Sequence, residues 1–319
     1  MIKRPKIDLV ALSNALTDII VNVEKEDLNA LKIKTGSTTG LRRIDPVILS
    51  QILKKTNSKY LPAGSPANTI FDASALGLKT ALIGNVGYDN IGNKYIEQLE
   101  KAKIKSYLKQ TKGKSGICYI LITPDSERTI LADLGVSWDF PLNICQLENI
   151  NPNIFHTSGY EIASNPDKAK RIINYFKNKG AKLSFDLASE STIKHHRKAI
   201  EQVVKKTDIL FATEEEAQEF IGSSPLASLE ILTEICPIVA FKKASKGSTI
   251  RKGKEEYKIP IYETKLVNTC GAGDSYAAGF LFAYLKGFSL EECGRMGSYI
   301  ASRVCNSEKS YLNTEKHLK

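Results

Sequence analysis

No apolar run in the chain approaches the ~18 residues that a membrane-spanning helix needs, which excludes a helical membrane protein. The chain also lacks a Cys-x-x-Cys pair. Its six cysteines (Cys118, Cys145, Cys236, Cys270, Cys293, Cys305) are scattered, and most sit among apolar residues where a thiol behaves as a small hydrophobe. This argues against a zinc site and against a disulfide framework. There is no internal repeat, low-complexity tract or linker, so a single unit over residues 1–319 is expected. The opening residues Met-Ile-Lys-Arg-Pro-Lys-Ile-Asp lead into a short apolar run without a signal-peptide core, and a cytoplasmic location is the expectation.

The 319 residues are 42% hydrophobic, enough for a large core, and carry a formal charge of +10. A basic balance raises the question of a nucleic-acid partner. The densest lysine clusters, residues 101–105 and 109–114, are short and not interleaved with stacking aromatics. The charge therefore reads as a solvated surface that favours small anionic ligands such as nucleotides, with no nucleic acid and no membrane as partner.

Apolar runs alternate with amphipathic stretches for most of the length. Buried strands are predicted at 7–13, 80–84, 154–158, 183–187, 209–212 and 238–242. Helical periodicity lies between them, at 45–56, 66–76, 92–102, 166–179, 195–205 and 214–221. This is the pattern of an α/β fold with a doubly wound, mainly parallel sheet and helices on both faces. Two β-rich stretches break it, 18–39 and 104–134. Both lie between elements of the main sheet, so they are expected to pair as one small antiparallel sheet, a lid formed by about 15–40 and 104–135. Such excursions sit over the carboxyl ends of the strands, where ligands bind. A dimerisation flap is the alternative reading, and a lid-mediated homodimer and a monomer both fit.

The densest chemistry is in Asn268-Thr269-Cys270-Gly271-Ala272-Gly273-Asp274, a small-residue turn followed by the apolar helical run 275–285. Free backbone N–H groups at a helix start, together with the helix dipole, attract an anion, and glycine lets it approach closely. A carboxylate beside that anion is what phosphoryl transfer to a hydroxyl requires, because it can accept the hydroxyl proton. Taken alone, the same residues also fit a plain helix cap.

The segment 268–280 resembles the C-terminal signature of the ribokinase-like (PfkB-type) carbohydrate kinases, in particular the adenosine-kinase-like bacterial branch. The resemblance implies that Asp274 is the catalytic base and that Gly271, Ala272 and Gly273 form the anion hole. Pro62-Ala63-Gly64-Ser65-Pro66-Ala67-Asn68-Thr69 is similar to the family's other signature, with Ala63 in place of a usual glycine. It implies an acceptor site in which Gly64 and Ser65 admit a sugar ring and Asn68 reads a hydroxyl. Asp18, after the first strand, matches the aspartate that the family uses for the sugar, with Asn14 as a neighbour.

On the nucleotide side, Thr213-Glu214-Glu215-Glu216 resembles the family's Asn-x-x-Glu, with threonine in place of asparagine. Glu216 keeps the acidic position associated with magnesium, through water. Lys242-Lys243-Ala244-Ser245-Lys246-Gly247 resembles the ATP loop. Gly247 is retained, while Ala244 replaces a glycine and would be crowded if that position needs a positive φ. Arg128 matches an arginine that reaches the transferred phosphate from the lid. The resemblance implies an ATP- and Mg2+-dependent kinase acting on a hydroxymethyl group of a sugar or nucleoside, adenosine or a related ribosyl compound being favoured. A hexose kinase of the fructose type and a non-catalytic ligand-binding protein on the same fold are the alternatives.

Overall fold

The computed structural model describes residues 6–54, 59–125, 127–140, 147–307 and 309–312. Cys145 and the end of the helix expected at 45–56 lie outside the described residues. The strands are β1 (Ile7–Leu12), β2 (Leu16–Asn22), β3 (Thr38–Gly40), β4 (Lys59–Ala63), β5 (Thr80–Gly87), β6 (Lys105–Thr111) and β7 (Gly116–Ile122). They continue with β8 (Arg128–Asp133), β9 (Pro152–Ser158), β10 (Lys182–Asp186), β11 (Ile209–Thr213), β12 (Ile238–Lys242), β13 (Ser248–Lys252) and β14 (Glu255–Ile259). The helices are α1 (Lys25–Ala30), α2 (Pro46–Lys54), α3 (Ser65–Ala75), α4 (Asn90–Lys101), α5 (Gly159–Ser164) and α6 (Pro166–Asn178). The rest are α7 (Glu190–Val204), α8 (Glu214–Ile221), α9 (Pro225–Ile235), α10 (Ala272–Leu285) and α11 (Leu290–Cys305).

Among the described residues one sheet has nine strands in the order β14-β13-β12-β11-β10-β9-β1-β5-β6. All of its pairings are parallel except those that join β13 to β12 and to β14. The doubly wound expectation follows from residue parity. Val10 and Leu12 of β1 face one core with Phe155, Leu183 and Phe185, covered by α6 through Ile172, Ile173 and Phe176. Leu9 and Ala11 face the other with Ile154 and Phe211, covered by α3, α4 and α10. A strand buried on both faces needs apolar residues at every position, which explains the unbroken apolar runs in the sequence. Burying one side chain such as Phe176 contributes about 1.5–3 kcal/mol. Parallel strands end together, so Asn14, Ser158, Asp186, Thr213 and Lys242 gather along one edge.

The second sheet, ordered β3-β8-β7-β2-β4, is the lid. Three features differ from expectation. It is mixed rather than antiparallel, since β2 runs parallel to β7 and β3 parallel to β8, while β4 runs antiparallel to β2 and β8 antiparallel to β7. Strand β6, expected in the lid, pairs in parallel with β5 at the edge of the main sheet, because the helix α4 between them supplies a crossover. Strand β4 joins the lid although it lies outside both expected stretches, carried there by the chain leading to α3. Helix α7 starts at Glu190, five residues before the expected start, because Ser189 caps it. The short α1, α9 and the β13–β14 hairpin were not anticipated.

One face of the lid is dry. Ile19, Val21, Leu121 and Leu131 pack against Leu28, Leu31, Leu49 and Ile52 of α1, α2 and the turn between them. A dimer through the lid would have to use another surface. No described helix is long and apolar enough to cross a membrane.

Candidate active site

The second sheet meets the edge where the parallel strands end, with Arg128 of β8 donating to Asn268 Oδ1. Asp18 lies on β2, opposite Leu61 of β4 and Cys118 of β7. Strand parity puts its side chain on the face away from α1 and α2, the face shared with Ile20, Cys118, Ile120, Ile130 and Ala132. Burial pushes the Asp18 carboxyl up to about 7; the Arg128 charge opposes this and the Asp274 charge adds to it.

Asp274 occupies the first turn of α10, as its sequence position predicted. Its Oδ1 accepts from Ser65 Oγ at 2.7 Å and its Oδ2 from Asn68 Nδ2 at 2.9 Å. Thr69 Oγ1 donates to its carbonyl at 3.1 Å. The two sequence signatures, more than two hundred residues apart, therefore meet through α3 and α10. Burial raises the Asp274 carboxyl to about 7, against the stabilising bonds from Ser65 and Asn68; Asp186 raises it further and Lys242 lowers it.

The anion turn is more selective than the sequence suggested. Ala272 N donates to Thr269 O at 3.2 Å, and the helix ladder begins with Ser275 N to Gly271 O at 2.8 Å. Gly273, at the second helical position, precedes that ladder. A Cβ built on Gly273 would stand 3.1 Å from Lys242 Nζ, so the small residue leaves the ammonium room to reach the turn. Gly271 serves a different purpose. It caps α10 at φ +77, and a Cβ there would collide with the Ser310 carbonyl.

The residues expected on the acceptor side also differ from expectation in detail. Gly64 has φ +115, and a side chain there would strike the Asn14 carbonyl oxygen and Ser13 Oγ. Its small size is required by the packing of β1 against α3, whatever ligand approaches. Asn14 N donates to Glu161 Oε1 at 3.0 Å and Asn14 Nδ2 to Ser164 Oγ at 2.9 Å. Asn14 Oδ1 and Asn68 Oδ1 are buried and have no hydrogen-bond partner among the described residues. Two unpartnered acceptors at an enclosed site suit a ligand that brings hydroxyl donors.

Lys242, at the end of β12, pairs with Asp186 Oδ2 at 2.7 Å, with both side chains nearly buried. Asp186 was not singled out from the sequence. The available signal is a carboxylate inside the buried strand expected at 183–187, a position that such a strand seldom gives to a charge. Asp186 and Glu216 hold the Lys242 ammonium charged against the cost of burial. Glu216 and Thr213 form a capping box: Thr213 Oγ1 accepts from Glu216 N at 3.1 Å and Glu216 Oε2 accepts from Thr213 N at 2.8 Å. Burial pushes the Glu216 carboxyl up and Lys242 pulls it down. Ala244 takes φ +47, so the replaced glycine does stand where the backbone is left-handed. Lys243 N donates to Gly247 O at 2.8 Å and closes that loop. Arg128, at the start of β8, reaches across from the lid and donates to Asn268 Oδ1, which also accepts from Cys270 N at 2.7 Å.

The residues fit a polyphosphate. Lys242, the Gly273 amide and the start of α10 converge where an anion would lie, and Arg128 approaches from the lid. For a metal, no three His, Cys, Asp or Glu side chains among the described residues converge to hold an ion directly. Asp186 and Glu216, already engaged by Lys242 and by the cap, fit an ion only through its water shell.

Comparison with known proteins identifies the family. A family profile described as pfkB family carbohydrate kinase matches residues 34–317. An uncharacterized sugar kinase of Archaeoglobus fulgidus is 30% identical over 236 residues, 72% of this chain and 92% of that protein. A nucleoside kinase of Methanothermobacter thermautotrophicus is 26% identical over 309 residues, 96% of this chain and 92% of that protein. The crystal structure of adenosine kinase from Sinorhizobium meliloti superimposes with a TM-score of 0.83 at 24% identity, covering 97% of this chain and 96% of that one. With the match covering most of the chain, the α10 turn included, the chain belongs to the PfkB family of carbohydrate kinases.

Proposed function

We propose that the protein transfers the γ-phosphoryl group of ATP to the hydroxymethyl group of a nucleoside, with adenosine or a related ribosyl compound as acceptor. As a member of its family it is a phosphotransferase acting on a sugar or nucleoside hydroxyl. The observation that carries the nucleoside reading is the inner face of the lid. Ile20, Cys118, Ile120, Ile130 and Ala132 line the same face as Asp18 and belong to no core cluster. A carboxylate for vicinal hydroxyls beside an apolar wall matches a ribose joined to a flat base. A free hexose has no such apolar half.

In this reading Asp18 accepts hydrogen bonds from the ribose hydroxyls, and the free Oδ1 atoms of Asn14 and Asn68 accept others. Asp274 takes the proton of the hydroxymethyl group as its oxygen bonds to the γ-phosphorus and the bond from that phosphorus to the ADP oxygen breaks. Ser65 and Asn68 fix both carboxylate oxygens, each of which keeps a lone pair for the incoming proton. Lys242, Arg128 and the turn amides offset the charge of the transferred group. Magnesium, when bound with ATP, would neutralise phosphate charge, its waters held by Asp186 and Glu216. Closure of the lid keeps water from competing as acceptor.

A coupled ADP-release assay with adenosine, inosine, ribose and fructose, paired with calorimetric titration of each, tests the reading. Adenosine is expected to give the highest kcat/KM. Preference for fructose would make the protein a hexose kinase, and binding without ADP release from any acceptor would make it a non-catalytic ligand-binding protein.

A further inference from the structure

Helix α3 carries a single carboxylate, Asp72, which the reaction does not use. Asp72 lies one turn after Asn68, on the face turned toward α10, and is 0% exposed. Its Oδ1 accepts from Leu312 N at 2.6 Å. Neither its Oδ2 nor the buried Oγ of Ser275, the residue after Asp274, makes a hydrogen bond of full geometry, but the Ser275 hydroxyl lies near enough to stabilise the charged carboxylate. An apolar residue would fill a helix–helix seam without the several kcal/mol that burying a carboxyl costs. The segment it holds is itself tied down: Tyr311 stacks on Phe71 with ring centres 4.7 Å apart, and Leu312 packs with Ile300 and Val304 of α11. The carbonyl of Ser310 fills the space beside Gly271 that a side chain would otherwise need.

We propose that Asp72 is a positioning residue for phosphoryl transfer: it fastens the segment 310–312 to α3, and that segment backs the Gly271 turn from which Asp274 projects. The inference rests on the phosphotransfer reading above. Asp72 touches neither the acceptor nor the phosphate. It acts through the backbone of Leu312 and Ser310, and a small displacement of the α10 turn would misplace the base relative to the acceptor hydroxyl.

The test is a set of variants in the full chain, Asp72→Leu, Asp72→Asn, Leu312→Pro and the double variant D72L/L312P, measured with the best acceptor from the panel. Leu at 72 removes the acceptor of the bond and Pro at 312 removes its donor. Each is expected to lower kcat about tenfold while KM for the acceptor stays within twofold. The double variant is expected to lose no more than D72L alone, because L312P breaks a link that D72L has already removed. D72N should keep kcat within about threefold, since its amide oxygen still accepts from Leu312 N and its NH2 can donate to Ser275 Oγ. Wild-type kcat in D72L or L312P, additive losses in the double variant, or a D72N as impaired as D72L would each overturn the proposal. If D72L does not fold, L312P and D72N decide it alone. If the wild-type chain releases no ADP with any acceptor, the phosphotransfer reading fails instead. Amide exchange of residues 269–274 then reads the same link: faster exchange in L312P upholds the strap, and unchanged exchange refutes it.

Discussion

The two halves of the site use opposite electrostatic designs. On the acceptor side, Asp18, Asp274 and Glu161 are buried carboxyls, each pushed up to about 7 by the loss of water around it. On the donor side, the buried charges are matched: Lys242 sits against Asp186 and beside Glu216, and desolvation is answered by ion pairing. A general base works best with a pKa near the working pH, whereas a phosphate clamp must stay cationic throughout. Asp274 stands on the boundary, raised by burial and by Asp186 and lowered by Lys242. Its proton affinity is a balance between the two halves.

The largest expected effect breaks the acceptor half. Asp274→Asn keeps the shape and the contact with Ser65 but cannot take a proton; kcat should fall by about 10³-fold or more, with acceptor binding by calorimetry largely retained. A near-normal rate would remove Asp274 from the mechanism. Lys242→Met tests the boundary. Losing the ammonium should lower kcat about 10²-fold and raise the Asp274 pKa further, because the cation that lowers it is gone. The base must be deprotonated to act, so activity should fail at a higher pH than in the wild type. An acid limb that stays in place, or moves to lower pH, would show that the halves are uncoupled. The smallest effect lies in the loop after β12. Ala244→Gly relieves a left-handed alanine at φ +47, worth about 1–2 kcal/mol, and loses about 0.4–1 kcal/mol to the freer unfolded chain. The net expectation is a gain of about 0.5–1 kcal/mol in a denaturant titration, with KM for ATP unchanged or lower. A destabilised A244G would mean that the loop is not strained at that residue.

Legibility in the sequence followed the range of the physics. Strands buried on both faces announce themselves, because every residue must be apolar; hence β1, β9, β11 and β12 lie within a residue or two of expectation. Strands of the second sheet and of the main sheet's edge are only partly buried, so their residues are mixed and their partners are set by long-range pairing. That is why the sequence pattern does not show β4 and does not reveal that β6 pairs with β5 in the main sheet. The α10 turn was legible because glycines and a carboxylate at a helix start are a local pattern. Asp186 and Asp72 were missed for the opposite reason: each is a single acid in an apolar segment, and its meaning lies in a partner tens or hundreds of residues away, Lys242 for one and Leu312 for the other.

By itself the sequence determined the α/β alternation, the helix-start turn at Gly271–Asp274 and the types of group available for phosphoryl transfer, since these depend on periodicity and on neighbours along the chain. Only the tertiary structure decided that Ser65 and Asn68 hold the two oxygens of Asp274, and that Gly64 and Gly271 are small to make room for Asn14 and Ser310. It also decided that the Asp274 carboxyl titrates near 7 rather than near 4. Proton affinity and steric room are set by what surrounds a group in space, and chain proximity alone does not specify those surroundings.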